Sequence, residues 1–228
     1  MCGRFTITFT VGFADRFKVQ IPGPLPPPRY NIAPSQRVPI IISPAEGERE
    51  IVEMTWGLLP SWSHDPASAQ RPINARAETL SKRPTFRPLV KHRRCLVPAT
   101  GFYEWQKTGK RAQPHYIHRR DGDYFAFAGL YDIWDPPGSM PHLSFSIVTT
   151  EANDLVAGYH DRMPAILRES DEAGWVSPGP LPEHELQEML SPYPSGLLES
   201  WQVSFLVNNS DHEGEELIAR QEEITSYF

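Results

Sequence analysis

Four short patches of this 228-residue chain carry polar groups in settings that a plain core would not choose. The first is Cys2-Gly3-Arg4-Phe5. Cysteine is small, so removal of the initiator Met1 is expected, and the mature chain then begins with Cys2. Its free α-amine and its thiol would sit on adjacent carbons. Such an amine condenses with an aldehyde to a Schiff base, and the thiol then adds to the same carbon, closing a stable five-membered thiazolidine. The reference pKa values, about 7.7–8.0 for the amine and about 8.5 for the thiol, need little tuning near neutrality. Gly3 adds no bulk beside the nucleophile. Arg4 adds a cation that lowers a neighbouring thiol pKa or holds an anion. On position alone a buried structural cysteine is the commoner outcome, so the other patches must move that reading.

The second patch is Asn74-Ala75-Arg76-Ala77-Glu78-Thr79, and the third is Gly101-Phe102-Tyr103-Glu104-Trp105. A carboxylate partly buried between Tyr103 and Trp105 has its pKa raised and works as a general acid or base near neutrality. Taken alone, Glu104 reads more simply as a strand residue facing water. The fourth patch is Gly158-Tyr159-His160-Asp161-Arg162-Met163-Pro164. A lone histidine is more often a satisfied core or surface group, but Asp161 and Arg162 beside His160 favour a polar site. Asn74 by itself is uninformative, since Asn before a turn is common. Cys95 sits in the apolar run Cys95-Leu96-Val97 and reads as core.

The elements that must position these groups are mostly strands. Runs at Val38–Ile42, Val52–Trp56, Cys95–Ala99, Phe102–Trp105, His115–His118, Tyr124–Tyr131, Leu143–Thr149 and Trp201–Val207 all have strand character. Phe9, Phe13 and Phe17 recur at four-residue spacing and predict a short helix over 11–18 with Thr10 as N-cap. Thr150 is expected to cap a helix over 151–157, and Pro182 to open one over Glu183–Leu190. Twenty-four prolines argue against long helices and for short strands and fixed loops. One run of them, Pro22–Pro28, reads as a stiff connector, and residues 106–114 as a variable loop. The expected fold is α+β: a strand-rich single domain over 1–228, with a curved, barrel-like sheet flanked by short helices and an acidic tail from about 211 to 228.

Charge is unevenly spread. The formal net charge of −6 argues against a generic nucleic-acid coat protein. Residues 71–94 nevertheless hold eight Lys and Arg against the single acid Glu78, and residues 107–120 hold five against none. Two basic runs flanking aromatic loops, with Trp62 in one of them, predict a phosphate-binding surface. Two cysteines give no disulfide framework and no Cys-x-x-Cys metal spacing, and neither a metal nor a cofactor is expected. No signal-like segment and no 18-residue apolar run occurs, so a chain of a reducing compartment is expected, cytoplasmic and without a membrane partner.

In order along the chain, MCGRF, YNIAP at Tyr30–Pro34, WGLLPSW at Trp56–Trp62, NARAET at Asn74–Thr79, RRCLVPATGFYEW at Arg93–Trp105, HDRMP at His160–Pro164 and VNNSDHEGEELI at Val207–Ile218 resemble the SRAP (SOS-response-associated peptidase) family. Members of that family crosslink to abasic sites in single-stranded DNA. Seven motifs in register, spanning nearly the whole chain, make the resemblance specific. It implies that Cys2 attacks the ring-opened sugar aldehyde. It gives Asn74 the part of positioning the amine or sugar, Glu104 that of opening the sugar ring and shuttling protons, and His160 that of moving protons at the sugar hydroxyl and Schiff base. Arg4, Arg76 and Arg162 correspond to DNA-binding arginines, and Trp62 to a surface that displaces or stacks bases. The implied partner is single-stranded DNA with abasic sites, met by a monomer near replication-fork proteins and, in a prokaryote, at the nucleoid.

Two other readings stand beside this one. Cys2 could serve a thiol peptidase, its own N-terminus included, with His160 as base and Glu104 or Asn74 as orienter. Or the chain could be a non-catalytic single-strand binder. A dedicated peptidase gains nothing from the basic runs. A pure binder does not need cysteine at the one position where an α-amine is also available.

Overall fold

A computed structural model describes residues 2–221 except 22, 46, 110 and 139. Twelve strands are named in chain order: β1 Phe5–Ile7, β2 Arg29–Ile32, β3 Arg37–Ile42, β4 Glu50–Trp56, β5 Asn74–Arg76, β6 Arg94–Ala99, β7 Gly101–Thr108, β8 Arg111–Arg119, β9 Phe125–Trp134, β10 His142–Glu151, β11 Arg162–Pro164 and β12 Leu198–Gln202. Four α-helices join them: α1 Phe13–Phe17, α2 Leu89–His92, α3 Glu169–Val176 and α4 Glu183–Met189. Strands β3, β4, β10, β9 and β6 pair in a ring that closes on itself. The β4–β10 contact is parallel and the rest of the ring is antiparallel. Closure leaves the barrel without free edges. A second sheet runs β12-β8-β7-β1-β2. The strand-rich α+β architecture is therefore the expected one.

The larger apolar core draws on both sheets, and a smaller one of Tyr103, Tyr116, Val203, Val207 and Leu217 lies beside the second sheet. Phe5 of β1, Phe102 of β7 and Phe127 of β9 meet edge to face, with Phe5 also against Trp56 of β4. Two glycines make close approaches possible. A Cβ on Gly101 would lie 2.3 Å from the Tyr116 ring, and Tyr116 Oη reaches Thr6 Oγ1 at 3.0 Å. A Cβ on Gly129 would lie 2.6 Å from Cys95 Sγ, its cross-strand partner.

Several local expectations change. Trp201–Val207 is not one strand: β12 ends at Gln202 and a 3-10 helix spans Phe205–Asn208. Val203 and Val207 are both buried while Phe205 is 39% exposed, so the alternation was a turn's four-residue spacing. Thr150 caps no helix, because β10 continues to Glu151 and pairs Thr150 with Met163. Asn153 supplies the cap instead, accepting from the Val156 amide at 3.0 Å, and only a 3-10 turn follows. Helix α1 is shorter than 11–18, and Thr10 spends its hydroxyl on Tyr124 Oη. Residues 106–108 and 111–114 are paired strands of a hairpin rather than loop, with Gln106 paired to Gln113 and Lys107 to Ala112. Helices α2 and α3 were not anticipated. Of the Pro22–Pro28 connector, Pro22 lies outside the described residues, as do Met1 and the last seven residues of the acidic tail. Among the described residues no helix is long and apolar enough to cross a membrane.

Candidate active site

The start of the chain is a sheet strand, and this is what fixes Cys2. Phe5 pairs with Phe102, Thr6 with Gly101, and the Tyr103 amide donates to the Arg4 carbonyl at 3.0 Å. Continuing that register carries Gly3 alongside Glu104. From the other side, Asn74 Nδ2 donates to the Cys2 carbonyl at 2.8 Å. Asn74 begins β5, which is held parallel to β10 by the Ile147 pairing. Across β10, on its other edge, β11 pairs Arg162 with Glu151 and Met163 with Thr150. Strand β10 thus brings the Asn74 patch and the His160 patch to one end of the barrel. Strand β7 brings Glu104 from the second sheet.

The Cys2 side chain is fully buried. Burial pushes its thiol well above the usual range, and the charge of Glu104 raises it further. Glu104 is itself 3% exposed. Burial raises its carboxyl to about 7, with Asp161 adding to the shift. Such a group exchanges protons readily at neutral pH. His160 is partly exposed, and burial lowers its pKa. Its Nδ1 accepts from the Arg162 amide at 2.9 Å and also lies 2.7 Å from Asp161 Oδ1. The first contact requires a bare nitrogen and the second a protonated one. That nitrogen therefore has a partner in either state. Asn74 Oδ1 is buried with no hydrogen-bond partner among the described residues, which leaves an acceptor beside Cys2.

The arginines divide. Arg76 is exposed and, with Trp62, Asn74, Arg83 and Phe86, lines a cleft of about 710 Å³. Arg4 turns inward, donating from Nη1 to Asn31 Oδ1 at 2.7 Å and to the Val207 carbonyl at 2.9 Å. Asn31 in turn donates to the carbonyls of Asn209 and His212, so Arg4 ties the 207–212 segment to the site. Arg162 makes a two-pronged pair with Glu78 at 2.6 and 3.1 Å and donates to the Thr149 carbonyl. The 71–94 basic run is also not a single surface. Arg94 is buried and donates to the carbonyls of Val90, Lys91 and Gly179, tying α2 to the segment after α3. Arg93 pairs with Asp132. In the second run, Arg119 pairs with Asp121 and Glu169.

Sequence reasoning missed the anchors of the Trp62 loop. Buried Asp132 accepts from the Ser61 amide at 2.7 Å, Trp134 Nε1 donates to the Ser63 carbonyl, and the Leu59 amide donates to Ser144 Oγ. Trp62 itself is 63% exposed. An acid inside the apolar run Leu130–Trp134 was the available signal. His115 has no neighbouring motif in the sequence to mark it.

The family described as SOS response associated peptidase (SRAP) matches residues 1–210. The chain is 39% identical over 222 residues to a Bacillus subtilis (strain 168) protein named abasic site processing protein YoqW, covering 96% of this chain and 99% of that one. It is 34% identical over 197 residues to abasic site processing protein HMCES of Gallus gallus, covering 72% of this chain and 58% of that one. A crystal structure of a Bacteroides thetaiotaomicron protein aligns with a TM-score of 0.76 at 32% identity, over 85% of this chain and 86% of that one.

Proposed function

This chain belongs to the SOS response associated peptidase (SRAP) family, and on that premise we propose that it processes abasic sites in single-stranded DNA by covalent capture through Cys2. The carrying observation is the seating of Cys2: its carbonyl is held by Asn74, and Glu104, a carboxyl with a pKa of about 7, is near enough for its charge to act on the thiol.

The order of steps follows from the protonation states. A buried thiol whose pKa is raised is a poor first nucleophile. Once Met1 is removed, the Cys2 α-amine is the better one. The closed abasic sugar opens first, by general acid–base catalysis, to its C1′ aldehyde. The amine adds to C1′, giving a carbinolamine. Protonated Glu104 gives its proton to the departing hydroxyl, which leaves as water, and an iminium remains. The thiol then adds to C1′ and its proton passes to Glu104, while the iminium nitrogen becomes the ring amine of a thiazolidine. One water is released overall, and Glu104 ends as it began. His160, which has a partner for Nδ1 in either state, serves the sugar hydroxyl during ring opening. Asn74 Oδ1 is an acceptor for the amine N–H.

Arg76, Arg83 and Trp62 along the cleft suit a DNA single strand, with phosphates on the cations and a base on the indole. Arg4 and Arg162 act at one remove, by fixing the 207–212 segment and the Glu78 side of the site. A thiol peptidase would need a thiolate, and the buried Cys2 thiol speaks against it. The test is incubation with an abasic oligonucleotide followed by a denaturing gel. A denaturation-resistant band is expected, and Cys2→Ala should give only a borohydride-trappable Schiff base. A stable band undiminished in Cys2→Ala would sink the assignment.

A further inference from the structure

One buried titratable group is not used by the chemistry above. His115 lies on β8 directly opposite Glu104 in the antiparallel β7–β8 ladder. Directly opposed residues in such a ladder project to the same face with their Cβ atoms about 4.5–5.5 Å apart. The imidazole is 7% exposed, and among the described residues neither ring nitrogen has a hydrogen-bond partner. Leaving both nitrogens of a buried imidazole unpaired is unfavourable, and such groups call for an explanation.

The surroundings narrow what that explanation can be. From the 156–161 segment, Tyr159 lies against the imidazole, with ring centroids 4.4 Å apart and planes at 34°. Tyr159 Oη is taken by Ser200 Oγ at 2.6 Å, so it does not serve the imidazole. From β12, His115 faces Gln202. Further along the segment are His160 and Asp161, and along β7 is Lys107. Glu104 is the one carboxyl directly opposite. We propose that His115 is a positioning residue for Glu104: its imidazole hydrogen-bonds the carboxylate whenever Glu104 ionises, and so stabilises it between its two proton transfers.

The chemistry fits a neutral ring. Neutral imidazole offers one N–H donor and one bare nitrogen. It can donate to the Glu104 carboxylate after the proton has gone to the leaving hydroxyl, and accept from the carboxylic acid before and after. Burial lowers the His115 pKa, which keeps the ring neutral in the range where Glu104 titrates. No net proton is gained or lost by the pair over the cycle. A phenylalanine at this position would fill the space against Tyr159 and provide neither function.

This inference rests on the role proposed for Glu104, but its test does not need the reaction. The Glu104 side-chain carboxyl is followed by carbon-detected NMR across pH 4 to 9 in the full chain, for wild type, His115→Phe and His115→Gln. Loss of a donor to the charged form should move the Glu104 midpoint upward by about one pH unit in His115→Phe. His115→Gln keeps a neutral donor and acceptor, so it should recover at least half of that shift. Should His115→Phe fail to fold, His115→Gln against His115→Leu gives the same contrast. An unmoved midpoint in the apolar variant, even with a lowered melting temperature, overturns the proposal and makes His115 a packing residue. The rate of adduct formation, measured in parallel, should show the same upward displacement of its pH profile. If wild type forms no adduct, covalent capture falls, and the carboxyl titration still decides the His115–Glu104 coupling.

Discussion

Cys2 and Cys95 are equally buried, and burial raises both thiols. They differ in what surrounds them. Cys95 lies opposite Gly129 on a barrel strand, its carbonyl accepts from Trp175 Nε1, and its thiol is shifted by burial. Cys2 has its carbonyl held by a side chain from another strand and the charge of Glu104 acting on its thiol. Burial therefore does not separate a structural cysteine from a reactive one. The separating features are a neighbouring proton carrier and a backbone position that can expose an amine.

The sharpest way to break this contrast is to remove each thiol in turn. Cys2→Ala should abolish the adduct that survives denaturation. Cys95→Ala should leave its rate unchanged and lower stability by about 1 kcal/mol, as a small core deletion does. Equal loss of adduct in both variants would erase the distinction.

The next effect concerns the neighbours of Cys2. Glu104→Gln and His160→Ala should each slow adduct formation by about 10²–10⁴-fold, while binding to an unreactive oligonucleotide stays nearly unchanged. Proportionate loss of rate and binding would make them ligand contacts instead. The wild-type rate should fall as pH rises past about 7, because Glu104 then loses the proton that the leaving hydroxyl needs. Stability follows the same group with a definite sign. Its folded pKa lies above the ordinary 4.5, so its contribution is full below that value and is lost as pH rises through about 7. Denaturant midpoints should decline over that window in wild type and not in Glu104→Gln.

A smaller effect tests the outward-facing arginine. Arg76→Ala should weaken DNA binding and lower the log–log salt slope by about 0.7, one single-strand phosphate contact. An unchanged slope would make Arg76 structural. The smallest effect lies on the Cys95 side. Gly129→Ala pushes a methyl into Cys95 Sγ, which should destabilise the fold by about 1–3 kcal/mol without touching the adduct rate. Adding Cys95→Ala should recover part of that loss in a double-mutant comparison of unfolding.

The contrast also explains what could be read without coordinates. The barrel strands were legible because their runs are buried on both faces and so read as nearly continuous strings, as in Cys95–Ala99 and Leu143–Thr149. The site patches were legible because each joins a polar group to turn residues or aromatics. The Val203–Val207 stretch misled because a 3-10 turn and a strand can share an alternating string, and only the exposure of Phe205 separates them. Composition could not sort Arg94 from Arg76, since which way a cation points depends on the carbonyls of Val90 in α2 and Trp175 in α3 that Arg94 meets. His115 was invisible for a related reason. Its significance comes from the strand register that sets it opposite Glu104, and ten residues of chain lie between the two.

The most direct test of the central claim is the intact mass of wild-type protein after reaction with an abasic single-stranded oligonucleotide, with the modified residue mapped by fragmentation. Covalent capture predicts a chain lacking Met1, heavier by the oligonucleotide less one water, with the bond on Cys2. An unmodified chain that binds the oligonucleotide without reacting, or an adduct mapped to Cys95 or to a lysine, would contradict it.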